Sequence, residues 1–291
     1  MGKIAVHLHL FYWEQLDDLL VRLQNLAGYP YDLFVTMVDD NAEAKQKILT
    51  FKSDAKIWIV PNLGYDVGPF IDFLHKINLD EYDYIIKIHT KNNKTGCDTL
   101  LNHRYISRKY WFQLLVDALI GSKNIFNKNI CAFKNDKKLG MIGSKYCITS
   151  GYKNVIKVKD EVVEIMHGFG LREFLPITFV AGTMFLVRSS LLQKIRDRYT
   201  IDDFAKTDGQ IKDGTLAHTL ERVFGCLVIA QGYKIQGFDE NKDFECKSIF
   251  LSVRRFLFQS KITQKGYLLI KICKIPVYHR KTTQGIKHDK I

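Results

Sequence analysis

No apolar stretch in this 291-residue chain reaches the roughly 18 positions that a membrane-spanning helix needs, so none is expected. The six cysteines (Cys97, Cys131, Cys147, Cys226, Cys246 and Cys273) never form a CxxC pair, which argues against a zinc knuckle. The start, MGKIAVHLHLFYW, is broken by histidines, no small-residue cleavage site follows it, and it lacks the Ser/Thr of a myristoylation signal. Reduced thiols and a cytoplasmic location are the expectation. Two nucleotide fingerprints are also missing. HLFYW stands where a GxGxxG turn would follow the first strand, and no GxxxxGK[ST] loop occurs, which disfavours NAD or FAD enzymes and the P-loop class. There is no helix-turn-helix, RRM or zinc module, and Asp39-Asp40, Asp66 and Asp213 would repel phosphates, so nucleic acid is not an expected partner.

What is present is a core-forming chain: a 46% hydrophobic content over this length suits one large domain, or a domain with an appendage. Its formal charge of +12 calls for an anionic partner, and positive charge is densest in the last forty residues. The first ninety residues alternate strand and helix. IAVHLHL reads as strand one, with His7 and His9 on one side; Trp13 to Leu26 as an amphipathic helix; Tyr31 to Val38 as strand two, ended by Asp39 and Asp40; and Asn41 to Phe51 as a helix capped by Asp40 or Asn41. Ile57 to Val60 reads as a buried strand, Val67 to Ile77 as a helix, and YIIKIH as a strand with Lys87 and His89 on one face. This is a Rossmann-like half sheet with parallel strands.

In such sheets ligands bind beyond the carboxyl ends of the strands, which is where Asn62, Gly64, Asp66 and Gly68 meet His89, Thr90 and Lys91. Glycines allow close backbone approach, a helix start favours anions, and Lys91 adds a positive charge. His7 reads as a core histidine, and His9, nearer the strand end and Tyr12, as the better ligand candidate. Further along, Lys91 to Arg108 reads as a loop beside the mouth and Trp111 to Ile120 as a helix. A lysine- and asparagine-rich insertion follows, then a strand at Leu139 to Gly143. TFVAGTMFL reads as one strand whose Gly182 serves either packing or a ligand, and Leu216 to Phe224 as a helix stopped by Gly225. Asp213 stands where that helix would be capped, and is equally placed to accept a proton from a bound hydroxyl; His218, Glu221 and Arg222 neighbour one another on the helix.

Four phrases in order, IAVHLHLFY, PNLGYDVGPF, YDYIIKIHTK, and FVAGTMFLVR with KDGTLAHTLERVFG, resemble the rhamnan synthesis protein F family of bacterial cell-surface polysaccharide enzymes over roughly residues 3 to 235. The resemblance implies an α/β fold: a GT-A-like, Rossmann-type glycosyltransferase domain with a mixed central sheet. Residues 1–240 would be catalytic, with a nucleotide-sugar half to residue 91 and an acceptor half after it. The implied cofactor-like substrate is a dTDP-, UDP- or GDP-sugar, with dTDP-rhamnose the leading donor. The resemblance places Asn62, Gly64, Asp66 and Gly68 on the donor, and Asp39 or Asp40 on the base; His9 joins the donor site from its place at the strand end, and Arg222 pairs either with a phosphate of the donor or with Glu221. Gly182 and His218 fall at the acceptor, with Asp213 as the base of an inverting transfer. Where GT-A enzymes carry Asp-x-Asp for a divalent metal, this chain reads His89-Thr90-Lys91. His89 and Lys91 are therefore expected to meet the diphosphate directly with no metal required, and Mn²⁺ held by His89 and His218 stays an alternative. A catalytically inactive sugar- or nucleotide-binding scaffold is the rival function. Residues 241–291 are expected to form a basic, amphipathic helical tail, stopped by Pro276, that either packs on the domain or rests on the inner face of an anionic membrane, where a polyprenyl-linked glycan acceptor would sit.

Overall fold

The computed structural model describes residues 2–92, 99–102, 104–151, 157–205, 214–262, 267–273 and 275–281. In chain order the elements begin with β1 (Ile4–Leu10), α1 (Leu16–Leu23), β2 (Tyr31–Met37), α2 (Ala42–Phe51), β3 (Lys56–Ile59), α3 (Val67–Lys76) and β4 (Tyr84–His89). There follow β5 (Thr99–Leu101), β6 (Arg104–Ile106), α4 (Arg108–Ile120), α5 (Lys123–Asn135), β7 (Leu139–Ile142), β8 (Ile148–Ser150), α6 (Lys159–Gly168), β9 (Thr178–Val180) and β10 (Phe185–Arg188). The chain continues with α7 (Gln193–Arg198), α8 (Leu216–Ala230), β11 (Lys234–Gln236), α9 (Lys242–Leu257), β12 (Phe258–Ile262), β13 (Tyr267–Ile272) and β14 (Ile275–Lys281). Two compact units result, Met1–Cys97 with Arg108–Asp239, and Asp98–Ser107 with Glu240–Ile291.

The first unit is built on a seven-stranded sheet in the order β11-β7-β10-β4-β1-β2-β3. Strands β3, β2, β1 and β4 are parallel, β10 lies antiparallel to both β4 and β7, and β11 is parallel to β7. The α/β fold with a mixed central sheet is thus as expected. Central strands β1 and β4 are buried along their whole length, which is why they read as nearly continuous apolar runs. By contrast β3, expected to be buried, is an edge strand, and Ile59 is 45% exposed. Register puts His7 beside Phe34 and Lys87, and Lys87 beside Phe185. This face is covered by aromatic rings: Phe73 of α3 stacks on His7 at 4.7 Å, and Phe70 meets Phe185 at 5.9 Å and Phe224 of α8 at 5.6 Å. Each such buried ring contributes on the order of 1.5–3 kcal/mol. On the opposite face Tyr84 packs against Phe133 of α5 at 4.8 Å.

Local signals account for most boundaries. Asn41 caps α2, its side chain accepting from the Ala44 N–H at 2.9 Å. The lysine- and asparagine-rich insertion forms α5, capped by Ser122 and anchored by buried Phe126, Ile130 and Phe133 at helical spacing. The single strand expected over 178–186 is two, β9 and β10, because Gly182 and Thr183 both take positive φ (94° and 53°) and break it. Helix α8 is capped at Thr215 and runs through Gly225, where a stop was expected. That glycine is there for close packing: a Cβ on it would collide with the Thr178 carbonyl of β9.

In the second unit β6 packs on α9, so the β5–β6 hairpin, read from sequence as a loop of the acceptor half, belongs with the tail. The tail is helical only through α9. From Phe258 it is a three-stranded antiparallel sheet, β12-β13-β14, with Pro276 inside the edge strand β14, where its missing N–H is tolerated. The β-branched Ile270, Ile272, Ile275 and Val277 favour strands.

Alanine is the better helix former by about 1 kcal/mol, yet the Gly225→Ala variant is expected to lose about 1–3 kcal/mol because the added methyl meets backbone that cannot yield locally. Urea unfolding checks this, and an unchanged or raised midpoint would show that α8 and β9 can separate freely.

Candidate functional site

The site grows from the polar side chains that the strand period places on the aromatic-covered face. His7 and His9 of β1, Thr36 of β2, and Lys87 and His89 of β4 are all buried there, with His9 directly beside Thr36 and His89 in register. Toward the carboxyl ends the loops lock onto them. The Thr90 hydroxyl accepts from both the Phe11 and Tyr12 N–H groups at 2.9 Å, and the buried Gln15 side chain holds the Lys91 backbone, accepting from its N–H at 2.9 Å and donating to its carbonyl at 2.5 Å.

The loop between β3 and α3 turns sharply through Gly64 (φ 68°) and Tyr65 (φ 56°), which brings Asp66 over the sheet face. One oxygen of its carboxylate accepts from the Lys87 ammonium and from the Thr183 hydroxyl, and lies 3.5 Å from His89 Nε2. Lys87 also donates to the Thr183 carbonyl at 3.0 Å, while the Gly182 N–H donates to Glu221 of α8 at 2.7 Å. A single buried ion pair thereby ties the Gly64–Asp66 turn to the Gly182–Thr183 turn. Burial would raise the Asp66 pKa, but its interactions with His89, Lys87 and Lys91 hold it well below the ordinary carboxylate value. Burial pulls Lys87 the other way, below an ordinary lysine, against the attraction of Asp66. Burial lowers His9 to about 4 and His7 well below the usual imidazole value, with Lys87 opposing a further proton on either ring.

His89 faces acceptors at both edges, Nδ1 at 2.8 Å from the Thr90 carbonyl and Nε2 at 3.0 Å from the Gly182 carbonyl. Only the imidazolium would satisfy both, yet burial outweighs the Asp66 carboxylate and brings the pKa down to about 3. The neutral ring therefore donates from one nitrogen and meets the other carbonyl with a lone pair. Backbone carbonyls close both edges of His89, leaving its remaining lone pair no open direction toward a metal, and the His218 Nδ1 is engaged at 2.7 Å with the Thr215 hydroxyl. Among the described residues no group of three or more His, Cys, Asp or Glu side chains is arranged to hold a metal ion. The donor set does not fit the Mn²⁺ alternative.

At the carboxyl ends of β1 and β4 a cavity of about 270 Å³ is lined by His9, Phe11, Tyr12, Asn62, Tyr65, Asp66, His89, Thr90, Lys91 and Asn92. Five sequence-selected residues, His9, Asn62, Asp66, His89 and Lys91, thus converge. Others do not. Asp39 and Asp40 are exposed, and Asp40 pairs with Lys45 at 2.7 Å. Gly64 and Gly68 are buried under Phe204 and against the Leu63 carbonyl, serving the turn instead of the cavity. Gly182 reaches the site through its carbonyl on His89, and His218 through an edge contact with Tyr65 at 5.5 Å. Arg222 is buried, bound to Glu221 and to the His218 carbonyl at 2.9 Å. Asp213 lies outside the described residues. Sequence reasoning placed Lys87 and Glu221 on their faces but gave neither a role, and it missed Thr183, Thr36 and Gln15. A lysine at a buried strand position was the one available signal.

Two outcomes follow from this chemistry. Asp66→Asn strands the Lys87 charge and is expected to cost about 3–5 kcal/mol, while the Asp66→Asn, Lys87→Met double variant recovers much of it; equal losses in both, measured by urea unfolding, would contradict the coupling. The folded-state pKa values of His7 and His9 lie below the unfolded value near 6.5, so the unfolded chain binds more protons as pH falls. Stability should be complete above about pH 6.5 and decline from there toward pH 4, by up to about 1.4 kcal/mol per pH unit for each ring. Urea midpoints across that range test it, and a flat profile would mean the rings titrate normally.

A family model described as rhamnan synthesis protein F matches residues 1–233. Two curated relatives, both named uncharacterized protein WxcX, come from Xanthomonas campestris pv. campestris strains B100 and ATCC 33913. Each is 24% identical over 235 residues, covering 79% of this chain and 32% of theirs, so the chain spans about a third of their length. Similar solved structures include S. aureus TarS 1-349 in complex with UDP (11% identity, TM-score 0.42, 88% of this chain and 65% of that one). Another is Mycobacterium tuberculosis glucosyl-3-phosphoglycerate synthase in complex with Mn²⁺, UDP and glucosyl-3-phosphoglycerate (9% identity, TM-score 0.34, 96% and 90%). Since the family match runs through nearly all of the unit that carries the cavity, the chain belongs to the rhamnan synthesis protein F family.

Proposed function

We propose that this chain is a nucleotide-sugar-dependent glycosyltransferase of GT-A-like architecture acting in cell-surface polysaccharide synthesis, with dTDP-rhamnose the leading donor. The observation that carries the reading is the convergence of His9, Asn62, Asp66, His89 and Lys91 on one cavity at the carboxyl ends of parallel strands, in a chain of this family. The donor diphosphate is assigned to the mouth, where Lys91 offsets the charge of the leaving group. His89 and Asp66, both engaged with protein groups, hold the walls in place. Asn62 and Tyr65 line the donor side, and the Gly182 turn with His218 borders the acceptor side. Asp213, just ahead of α8, is assigned as the base that takes the acceptor hydroxyl proton while the anomeric bond to the diphosphate breaks through an oxocarbenium-like state, inverting the centre. Because the described donor set does not fit a divalent ion, no step is assigned to one.

The acceptor is proposed to be a growing or polyprenyl-linked glycan at the inner face of the membrane. Residues 240–291 carry twelve lysines and arginines against four acids. Helix α9 exposes Ile249, Phe250, Val253 and Phe256, a combination suited to an anionic lipid surface. No described helix is long and apolar enough to cross a membrane.

Turnover of dTDP-rhamnose, UDP- and GDP-sugars, with and without EDTA, tests the reading. Asp213→Asn is expected to lower turnover about 10²–10⁴-fold while nucleotide affinity stays within about threefold. Nucleotide binding by the wild-type chain with no turnover of any donor would favour a binding scaffold, and loss of turnover in EDTA would overturn the role given to Lys91.

A further inference from the structure

His7 and His9 each turn a ring nitrogen to the same hydroxyl: His7 Nε2 lies 2.9 Å and His9 Nδ1 3.0 Å from Thr36 Oγ1. A hydroxyl has one proton and two lone pairs, and among the described residues the buried Thr36 Oγ1 meets no partner besides these two rings, so its proton goes to one ring and it accepts from the other. His7 sets the direction. Its remaining nitrogen, Nδ1, is buried without a hydrogen-bond partner, in a ring stacked on Phe73 and tilted against Phe70 at 5.5 Å. A stranded N–H in such surroundings is less tolerated than a stranded lone pair, and the neighbouring Lys87 charge opposes a second proton on the ring. The His7 proton therefore sits on Nε2 and donates to Thr36. The Thr36 proton goes to His9 Nδ1, and the His9 proton is left on Nε2. His9 is only 4% exposed, lines the cavity, and has its other edge taken by Thr36, so Nε2 is the edge it offers to a ligand.

We infer that Thr36 is a positioning residue that fixes His9 as its Nε2–H tautomer, and that His9 is a specificity-determining donor to an oxygen of the bound nucleoside diphosphate that can only accept. The identity of the ligand rests on the glycosyltransferase reading; the tautomer does not. The second nitrogen of a histidine is set by what the first one binds, and here that control passes from the aromatic core to the cavity wall. A wall that presents a fixed N–H favours a phosphate or carbonyl oxygen and disfavours a group that must itself donate.

Long-range ¹H–¹⁵N correlation spectra of the full, ligand-free chain at pH 7, with His9 assigned from the signal missing in His9→Gln, read the tautomer directly. The expected result is the Nε2–H form for His9 in the wild type and a mixture of both forms in Thr36→Val. An Nδ1–H form in the wild type would overturn the relay without any reference to activity. UDP, dTDP and GDP are then titrated separately. For whichever binds, His9→Phe should weaken affinity about ten- to a hundredfold, the scale of one hydrogen bond to a charged oxygen, and His9→Gln, which keeps an N–H, should recover most of it. Unchanged affinity in His9→Phe would overturn the donor role. Binding of none of the three by the wild type would overturn the nucleotide assignment and the proposed function with it, whatever tautomer the spectra report.

Discussion

The buried contact between Lys87 and Asp66 is the constraint on which the site depends. Lys87 comes from the middle of a fully buried strand, where the pattern calls for an apolar residue, and its charge has nowhere to go but to Asp66 and the Thr183 carbonyl. Each partner stands at a turn with positive φ at non-glycine residues, Tyr65 on one side and Thr183 on the other. Such conformations cost of order 1 kcal/mol or more and persist only where neighbouring contacts over-determine them. The ion pair supplies that determination for both turns at once, and through Tyr65 and Asp66 it sets one wall of the cavity.

Around this pair the face of the sheet grades from aromatic to polar. Phe70 and Phe73 cover His7, and Phe70 approaches Lys87, whereas the next residues outward, His9 and His89, reach the cavity. Alternation on β1 and β4 makes this possible, because residues two apart share a face but differ by a strand step in depth. The deeper member of each pair is structural and the shallower one lines the opening. His7 and Lys87 fix what His9 and Asp66 present.

The half sheet β3-β2-β1-β4 was legible in the sequence because alternating strand and helix periods are local, and placing Asn62, Asp66, His89 and Lys91 together needed only the rule for the carboxyl ends of parallel strands. Thr183, Glu221 and Gln15 were not legible. Thr183 is 96 residues from Lys87, Glu221 is 39 from Gly182, and Gln15 is 76 from Lys91, and no periodicity reports pairings at that range. At the acidic end of β2, Asp39 and Asp40 end the strand as read and are exposed. Gly225 and the tail failed through competing readings. A glycine in a helix signals a stop as readily as a close approach, and interleaved basic and apolar residues in the tail were assigned to a helix although its β-branched Ile270, Ile272, Ile275 and Val277 favour strands.

Stability alone does not account for the polar residues of this face. A buried ion pair is often no better, and sometimes several kcal/mol worse, than apolar residues of the same volume, and a buried neutral histidine makes the fold sensitive to acid. His7, His9, Lys87, His89 and Asp66 all carry such a cost, and all lie within one or two contacts of the same cavity. Where several local rules are broken together at one place, the compensation is to be sought in what that place does. The arrangement cancels charge within the protein, Asp66 against Lys87, and keeps the histidines neutral, so among the described lining residues the cation left at the mouth is Lys91, whose ammonium lies 5.5 Å over the Trp111 ring. A site organised in this way presents a neutral, hydrogen-bonding interior and a positive rim, the pattern that the proposed nucleotide-sugar donor requires.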